Sequence, residues 1–277
     1  MIQKNVKIID FSCPTLKIAY AEIDSKSKLN AFDPHVHDEC EIYINLSGDV
    51  SFVVENSIYP IMPGSIIITR PGEYHHVVYH SNAIHKHFWI LFSSNTMQEL
   101  FPIFFNRPVG VKNMLTLSSN RFKELAELCH ALNENTESIT ENTYRFFKLI
   151  HLINMAQTPP PAVDDESHFM DLALDFIHKN LSEPIRVKDV ATAAYVSIST
   201  LERHFENRLQ MSPSEYLKKR RLAHAVGLIE NGASITFACQ QSGFVDCSKF
   251  IILFKKHYGK TPLKWKKEKL HGNQNQQ

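Results

Sequence analysis

Phe205-x4-Gln210-x-Ser212-Pro213-x-x-Tyr216 returns as Phe254-x4-Gly259-x-Thr261-Pro262-x-x-Trp265, and every matched position is offset by 49 residues. Leu201 and Phe250 obey the same offset. Self-similarity at a fixed spacing marks two copies of one supersecondary unit. Each copy reads as helix, turn, helix. In the first, Val187-Lys188-Asp189-Val190-Ala191 opens a short helix and Tyr195-Val196-Ser197 makes a turn. Ser197 or Ser199 can cap the next helix, because a serine oxygen accepts the orphan amide protons of a first turn. That helix, Ser199 to Leu209, buries Leu201 and Phe205 and leaves Ser199, Thr200, Glu202, Arg203 and Glu206 outward. In the second, a helix from Ile235 to Gln241 precedes a Gly243-Phe244 turn, and Asp246 caps a helix that buries Phe250 and Phe254. A second helix presented in this way fits the major groove of B-DNA, about 12 Å wide. Ser214 to Glu230 reads as one intervening helix. At about 1.5 Å per residue it spans about 25 Å. Such a rod can hold two recognition helices near one DNA turn apart, about 34 Å.

Charge agrees with that reading. Residues 1–170 carry 13 Lys and Arg against 19 Asp and Glu, a balance of −6, whereas residues 171–277 carry 17 against 10, a balance of +7. A basic end behind an acidic front favours a polyanion partner. The 277 residues are 43% hydrophobic and 21% charged, which excludes wholesale disorder and suggests two domains. No window supplies the roughly 18 apolar residues of a membrane helix, and no leader-like apolar run opens the chain. Five cysteines (13, 40, 129, 239 and 247) without a C-x-x-C read as reduced thiols of a cytoplasmic protein.

The front of the chain has a different texture. Val50-Ser51-Phe52-Val53-Val54, Ser57-Ile58-Tyr59-Pro60-Ile61 and Ser65-Ile66-Ile67-Ile68-Thr69 are strand-like runs separated by turn residues, as in a barrel or sandwich. Phe122, Leu125, Ala126, Leu128, Cys129 and Leu132 recur at helical spacing, as do Tyr144, Phe147, Leu149, Ile150, Leu152 and Ile153. Those faces must be covered by the β domain or by a second subunit. The proline-rich, acidic stretch from Thr158 to Ser167 breaks the pattern. The expected layout is therefore an α+β multidomain chain: a sensing and dimerisation domain at 1–157, a linker at 158–167 and an all-α DNA-binding domain at 168–277. The tail from Gly272 to Gln277 is expected to fray.

A second constellation lies in the front domain. His35-x-His37-x3-Glu41-x6-Gly48 is followed by Pro71-Gly72-x-x-His75. Alternate residues of a strand share a face, so His35, His37 and Glu41 can project into one interior and His75 can close the set. Three readings are open: a divalent transition metal held by all four, a hydrogen-bonded polar pocket, or direct recognition of an organic effector. Tyr43, Phe88 and Trp89 are spaced to form an apolar wall, and a tryptophan face stacks on a sugar ring, so a sugar is the leading effector class. The competing reading is that Trp89 is ordinary core. His76, His80, His85 and His87 read as exposed loop or strand residues.

The repeat domain resembles the DNA-binding domain of AraC-type transcription regulators. The likeness runs through Ala191, Ser197, Leu201, Arg203, Phe205, Ser212-Pro213-x-x-Tyr216 and Arg221-Leu222-x-x-Ala225-x-x-Leu228. It continues with Ile235, Gly243-Phe244, Asp246, Phe250, Phe254-Lys255-Lys256, Gly259 and Thr261-Pro262. It implies two helix-turn-helix units reading asymmetric half-sites of double-stranded DNA, with Ser199, Thr200, Glu202 and Arg203 toward the bases in the first. In the second it nominates Cys247, Ser248, Ile251 and Ile252, with Lys249, Lys255 and Lys256 toward phosphates. A guanidinium at Arg203 can reach guanine O6 and N7 together; the alternative is an ion pair with Glu206. Three positions depart from the family pattern: Gln210 replaces a turn glycine, Cys239 replaces a small residue, and Ile251-Ile252 replaces a polar pair. The isoleucines imply weak base reading by the second unit. Lys218-Lys219-Arg220-Arg221 reads as a solvated helix face, Arg221 being structural in the family pattern. The His/Glu stretch resembles the two motifs of the cupin barrel, which implies a cupin-like sensor, a small-molecule effector, a homodimer formed through the 119–157 helices and, for an activator, RNA polymerase as a partner. A metal-dependent cupin enzyme is the alternative. It rests on the His/Glu set alone, without a phosphate loop or nucleophile motif.

Overall fold

The computed structural model describes residues 3–9, 16–24, 35–80, 83–94, 98–134, 138–159 and 165–274. The chain divides into two compact units, one of residues 1–33 with 37–162 and one of residues 34–36 with 163–277. Half of the expected 158–167 linker, residues 160–164, lies outside the described residues.

The described strands of the first unit are β1 (Gln3–Ile9), β2 (Leu16–Asp24), β3 (Cys40–Ser47), β4 (Val50–Val54), β5 (Ser57–Ile61), β6 (Ser65–Thr69), β7 (His75–Tyr79), β8 (Ile84–Phe92) and β9 (Met114–Thr116). They form an antiparallel sheet of order β1-β2-β8-β3-β6-β9 and a second of order β5-β4-β7. Among the described residues no ladder joins the two sheets, so the expected barrel is open. Helices α1 (Pro102–Phe105), α2 (Ser119–Glu134) and α3 (Ile139–Asn154) complete the unit. One face of the larger sheet, through Ile18, Ile42, Ile44, Ile68, Phe88, Ile90 and Phe92, packs with Leu125, Cys129 and Leu132 of α2 and with Phe146, Leu149 and Ile153 of α3. The sheet therefore covers the amphipathic helices. Tyr144, expected in that buried face, is 62% exposed, because the stripe that meets the sheet passes through Phe146, Leu149 and Ile153. The opposite face contributes Tyr43 and Ile67 to a cluster with Val50, Phe52, Val54 and Val77 of the smaller sheet.

One buried carboxylate ties this unit together. Glu73 is 1% exposed. Its oxygens accept from Arg107 Nη1 (2.7 Å) and Nη2 (2.6 Å), Gly110 N (2.8 Å), Arg70 N (3.0 Å) and Asn113 Nδ2 (3.1 Å). A bidentate guanidinium with further donors is what allows a charge to be buried.

The second unit contains α4 (Asp165–Lys179), α5 (Val187–Ala193), α6 (Ile198–Leu209), α7 (Pro213–Glu230), α8 (Ile235–Gln241), α9 (Cys247–Tyr258) and α10 (Pro262–Gln274). The 49-residue offset holds for both ends of α6 and α9 and for their caps. Ser197 Oγ accepts from Thr200 N (3.1 Å), so Ser197 rather than Ser199 is the cap, and Asp246 Oδ1 accepts from Ser248 N (2.9 Å) and Lys249 N (3.1 Å). The left-handed C-terminal residues are Gln210 (φ 53°) and Gly259 (φ 75°). A glutamine there carries a strain of roughly 1–2 kcal/mol that glycine avoids. Phe205 meets Tyr216 at a 5.6 Å ring separation, and Phe254 meets Trp265 at 6.0 Å. α4 starts at Asp165, earlier than the expected domain, and α10 runs through Gly272 to Gln274 where fraying was expected.

The basic run on α7 is not a solvated face. Arg220 is buried, with Nη2 3.0 Å from His178 Nδ1, and Arg221 donates to the carbonyls of Leu181 (3.1 Å) and Glu183. Lys219 is half-buried beside Glu215, which leaves Lys218 as the exposed member. Gly243 closes on the same corner. Its φ is +73°, and a Cβ there would lie 2.4 Å from the Leu181 carbonyl and 2.8 Å from Arg221 Nε. No helix among the described residues is long and apolar enough to cross a membrane.

Replacing Arg107 with methionine strands the Glu73 charge in the interior. Arg107→Met is expected to cost about 3–5 kcal/mol, the range for breaking one side of a buried pair. Urea unfolding followed by tryptophan fluorescence measures it, and a loss below about 1 kcal/mol would show that the pair is not the staple described.

Candidate functional site

His37, Glu41 and His75 are brought together within the first unit. Glu41 is the second residue of β3 and faces away from the helix-packed side, as strand alternation requires. His75 opens β7, and His37 lies in the approach to β3. Glu41 Oε2 is 3.0 Å from His37 Nε2 and 3.1 Å from His75 Nε2. The far nitrogen of each ring points at a backbone carbonyl: His37 Nδ1 at Glu39 O (3.0 Å) and His75 Nδ1 at Glu73 O (2.8 Å). A carbonyl can only accept, so both Nδ1 atoms carry protons. In a neutral ring, Nε2 then presents a lone pair to the carboxylate. Two lone pairs facing one carboxylate oxygen need positive charge, either protons on the rings or a bound cation.

The acid–base balance follows from that geometry. Burial alone would raise the Glu41 carboxyl, but the His75 and His37 imidazoles outweigh it and hold it well below the usual range. Burial opposes a charged His75, but the charge and hydrogen bond of Glu41 outweigh it and raise its pKa. His35, two residues before His37, completes the expected set: one ligand atom from each of His35, His37, Glu41 and His75 lies within 4.8 Å of the others.

Tyr43 lies two residues beyond Glu41 on the same face, stacked on His87 with ring centroids 4.5 Å apart and tilted against Phe52 at 5.1 Å. Trp89 is directly opposite Tyr43 in the β3–β8 register and next to Ala19 of β2 in the register beyond. It is half-buried, so part of the indole stays accessible. Phe88 alternates to the other face and sits in the helix-packed core, so it does not join Tyr43 and Trp89 in a wall. The other histidines also correct the sequence reading. His76, His85 and His87 are buried, whereas His80 is exposed as expected, its Nε2 2.8 Å from Ser51 Oγ. Polarity suggested exposure, but the strand alternation that carries Tyr43 inward carries His85 and His87 with it.

In the second unit, α6 exposes Ser199, Glu202, Arg203 and Glu206, with Thr200 half-buried. Arg203 Nη2 lies 3.4 Å from His204 Nε2, and among the described residues it forms no ion pair with Glu206. On α9, Ser248, Lys249, Ile251, Ile252, Lys255 and Lys256 are exposed. Cys247 is not available as a thiol, because its sulfur is joined to Cys239 in a disulfide. This overturns the expectation of reduced thiols at that pair: the α8–α9 turn brings the Cα atoms to 5.8 Å, within bridging distance, although the two are eight residues apart. Cys40 and Cys129 are free and buried.

An AraC-like ligand binding domain model matches residues 23–149, and a helix-turn-helix domain model matches residues 190–268. The chain belongs to the AraC-type transcription regulators. This regulator family joins a ligand-binding domain to a helix-turn-helix domain, and the enzyme reading is set aside on that ground. The HTH-type transcriptional regulator YdeO of Shigella flexneri is 31% identical over 94 residues, 34% of this chain and 37% of that protein. The chain thus spans about a third of that relative's length. The HTH-type transcriptional activator RhaS of Yersinia pestis is 24% identical over 87% of this chain and 91% of its own. Among solved structures, fatty acid-bound ToxT of Vibrio cholerae covers 93% of this chain and 96% of its own at 14% identity, with a TM-score of 0.38.

The trio gives this AraC-type chain a pH dependence of defined sign. His75 has a raised pKa, so its contribution is present at low pH and is lost as pH rises through the folded value. Glu41 has a lowered pKa, so its contribution is lost only on strong acidification. In chelator-treated protein, Tm is expected to fall as pH rises beyond neutrality, and His75→Gln is expected to flatten that limb. An unchanged slope in the variant would remove His75 as its source.

Proposed function

We propose that the chain is an effector-responsive, sequence-specific activator of transcription that acts in the cytoplasm, with 1–157 sensing, 158–167 linking and 168–277 binding double-stranded DNA. One observation carries the DNA reading: α6 and α9 repeat, 49 residues apart, with matching bounds and cap positions and with exposed outer faces. The +7 balance of residues 171–277 supplies the phosphate attraction. Ser199, Thr200, Glu202 and Arg203 face bases in the first half-site, and Ser248, Lys249, Ile251, Lys255 and Lys256 face the second. The activator assignment is supported by the likeness, over 87% of this chain, to a transcriptional activator, and it makes RNA polymerase a partner. A homodimer is supported by α3 and its C-cap, where Tyr144, His151 and Met155 form an exposed stripe at helical spacing.

The effector is a small hydroxylated molecule, a sugar, bound by Glu41, His37 and His75 and stacked on Trp89 beside Tyr43. The half-buried carboxylate and the imidazoles accept and donate to hydroxyls, while the accessible indole covers an apolar ring face. To alter output, such a ligand must bind one conformation or assembly better than another. Arg203→Ala is expected to weaken binding to a selected operator by about 1–3 kcal/mol and to relax one base position. Equal loss on operator and random DNA, measured by fluorescence anisotropy, would reassign Arg203 to phosphate. A panel of monosaccharides that leaves operator affinity unchanged would discard the sugar.

The orientation of the Nε2 atoms favours one further reading, a divalent transition metal held by His37, Glu41 and His75 with His35 as a fourth ligand. The backbone carbonyls fix both rings with Nε2 forward, the usual second support of a metal-bound histidine. Such an ion would supply a Lewis acid for the hydroxyls or carboxylate of the effector. Elemental mass spectrometry of protein purified without chelator is expected to find close to one metal per chain, lost in His37→Ala. Far less metal leaves the trio as polar lining of an organic pocket.

A further inference from the structure

The repeat lets the two recognition surfaces be compared position by position. Adding 49 takes Ser199 to Ser248, Thr200 to Lys249, Glu202 to Ile251, Arg203 to Ile252, Glu206 to Lys255 and Asn207 to Lys256. The pair with the most base-reading chemistry on α6, one acceptor and one bidentate donor, has become two aliphatic side chains on α9. They are not core. Phe250 and Phe254 hold the inner face of α9 and are fully buried, whereas Ile251 is 39% and Ile252 67% exposed. Residue 252 lies about 200° around the helix from residue 250, on the outer side. Around them stand Ser248 and three exposed lysines at 249, 255 and 256.

An exposed aliphatic pair ringed by cations fits a surface that is apolar at its centre and anionic at its rim. In the major groove the apolar group is the C5-methyl of thymine, and the rim is phosphate. Isoleucine cannot donate to guanine O6 or N7 and cannot accept from cytosine N4.

Building on the DNA-binding reading, we propose that the operator is chemically asymmetric. The α9 half-site is read as thymine through C5-methyl contacts with Ile251 and Ile252, with Lys249, Lys255 and Lys256 on the flanking phosphates. Guanine and cytosine are read by Arg203 and Glu202 of α6. The second unit is thus sequence-selective in its own right, by burial of methyl groups rather than by hydrogen bonds.

The test is selection from a random duplex library with the full chain, followed by resynthesis of the winning site with uracil for thymine in one half at a time. Uracil lacks only the methyl. Thymine enrichment is expected in one half and guanine in the other. Uracil in the thymine half is expected to weaken binding about fourfold per contacted methyl. The Ile251→Ala, Ile252→Ala double variant is expected to lose that sensitivity while keeping its guanine half-site. Guanine or cytosine enrichment in the second half overturns the inference, as does a silent uracil exchange in the unaltered protein or a double variant that still distinguishes uracil from thymine. Selection that enriches no sequence in either half overturns the DNA-binding reading as well. An ordered first half with an indifferent second half overturns only the methyl reading.

Discussion

The front of the molecule depends on the burial of the Glu73 carboxylate. A charge at 1% exposure survives only because five donors converge on it, two from Arg107 and the rest from Arg70, Gly110 and Asn113. Those donors come from the turn before β7 and from the segment between α1 and β9, so the carboxylate fixes one against the other. The backbone of the same residue does a second task. Its carbonyl takes the Nδ1 proton of His75 and so turns Nε2 toward Glu41. The His37–Glu41–His75 trio is therefore aimed by the element that is most firmly pinned. This is the expected relation between a polar site and its supporting shell.

Legibility in the sequence followed the kind of signal involved. Helix limits and caps in the repeat were readable because Ser197 and Asp246 have local chemistry and because two copies check each other. Strands β4, β5 and β6 were readable because Gly, Pro and Asn punctuate them. Arg220 was misread because a run of like charges looks solvated, whereas Arg221 has the structural role that the family resemblance implied. Nothing local reveals that His178 and the carbonyls of Leu181 and Glu183 will arrive from α4 and the loop after it. The Glu73–Arg107 pair was missed for the same reason, since its partners are 34 residues apart. His85 and His87 were misplaced because residue polarity was trusted over strand alternation. The Cys239–Cys247 bridge escaped because a cysteine count contains no information about turns.

At the trio, the spacing named residues that the fold brings together, but not their protonation. Strand alternation puts Glu41 on the inner face, yet the deciding feature is which ring nitrogen carries the proton. That is set by the carbonyls of Glu39 and Glu73. Proton and metal therefore compete for the same lone pairs. Any cation that binds there must displace the proton that stabilises His75 against Glu41, so occupancy should weaken as pH falls, the opposite limb from the one on which the metal-free site loses stability.

On the proposed reading, divergence within the repeat separates two tasks that a single recognition helix would have to combine. Sequence information in hydrogen bonds requires polar groups held in fixed geometry, and α6 keeps Glu202 and Arg203 for that. Nonspecific attraction requires charge, and α9 concentrates it in Lys249, Lys255 and Lys256. Cations alone would make the second contact strong at low salt and indifferent to sequence. An isoleucine pair that buries thymine methyls would restore selectivity in a form that salt does not screen, because methyl burial has no counterion term. The salt slope should then be set mainly by α9, while the identity of the preferred site should change little with ionic strength. Two unlike helices in one chain also fix a direction on the duplex, which a symmetric pair could not do.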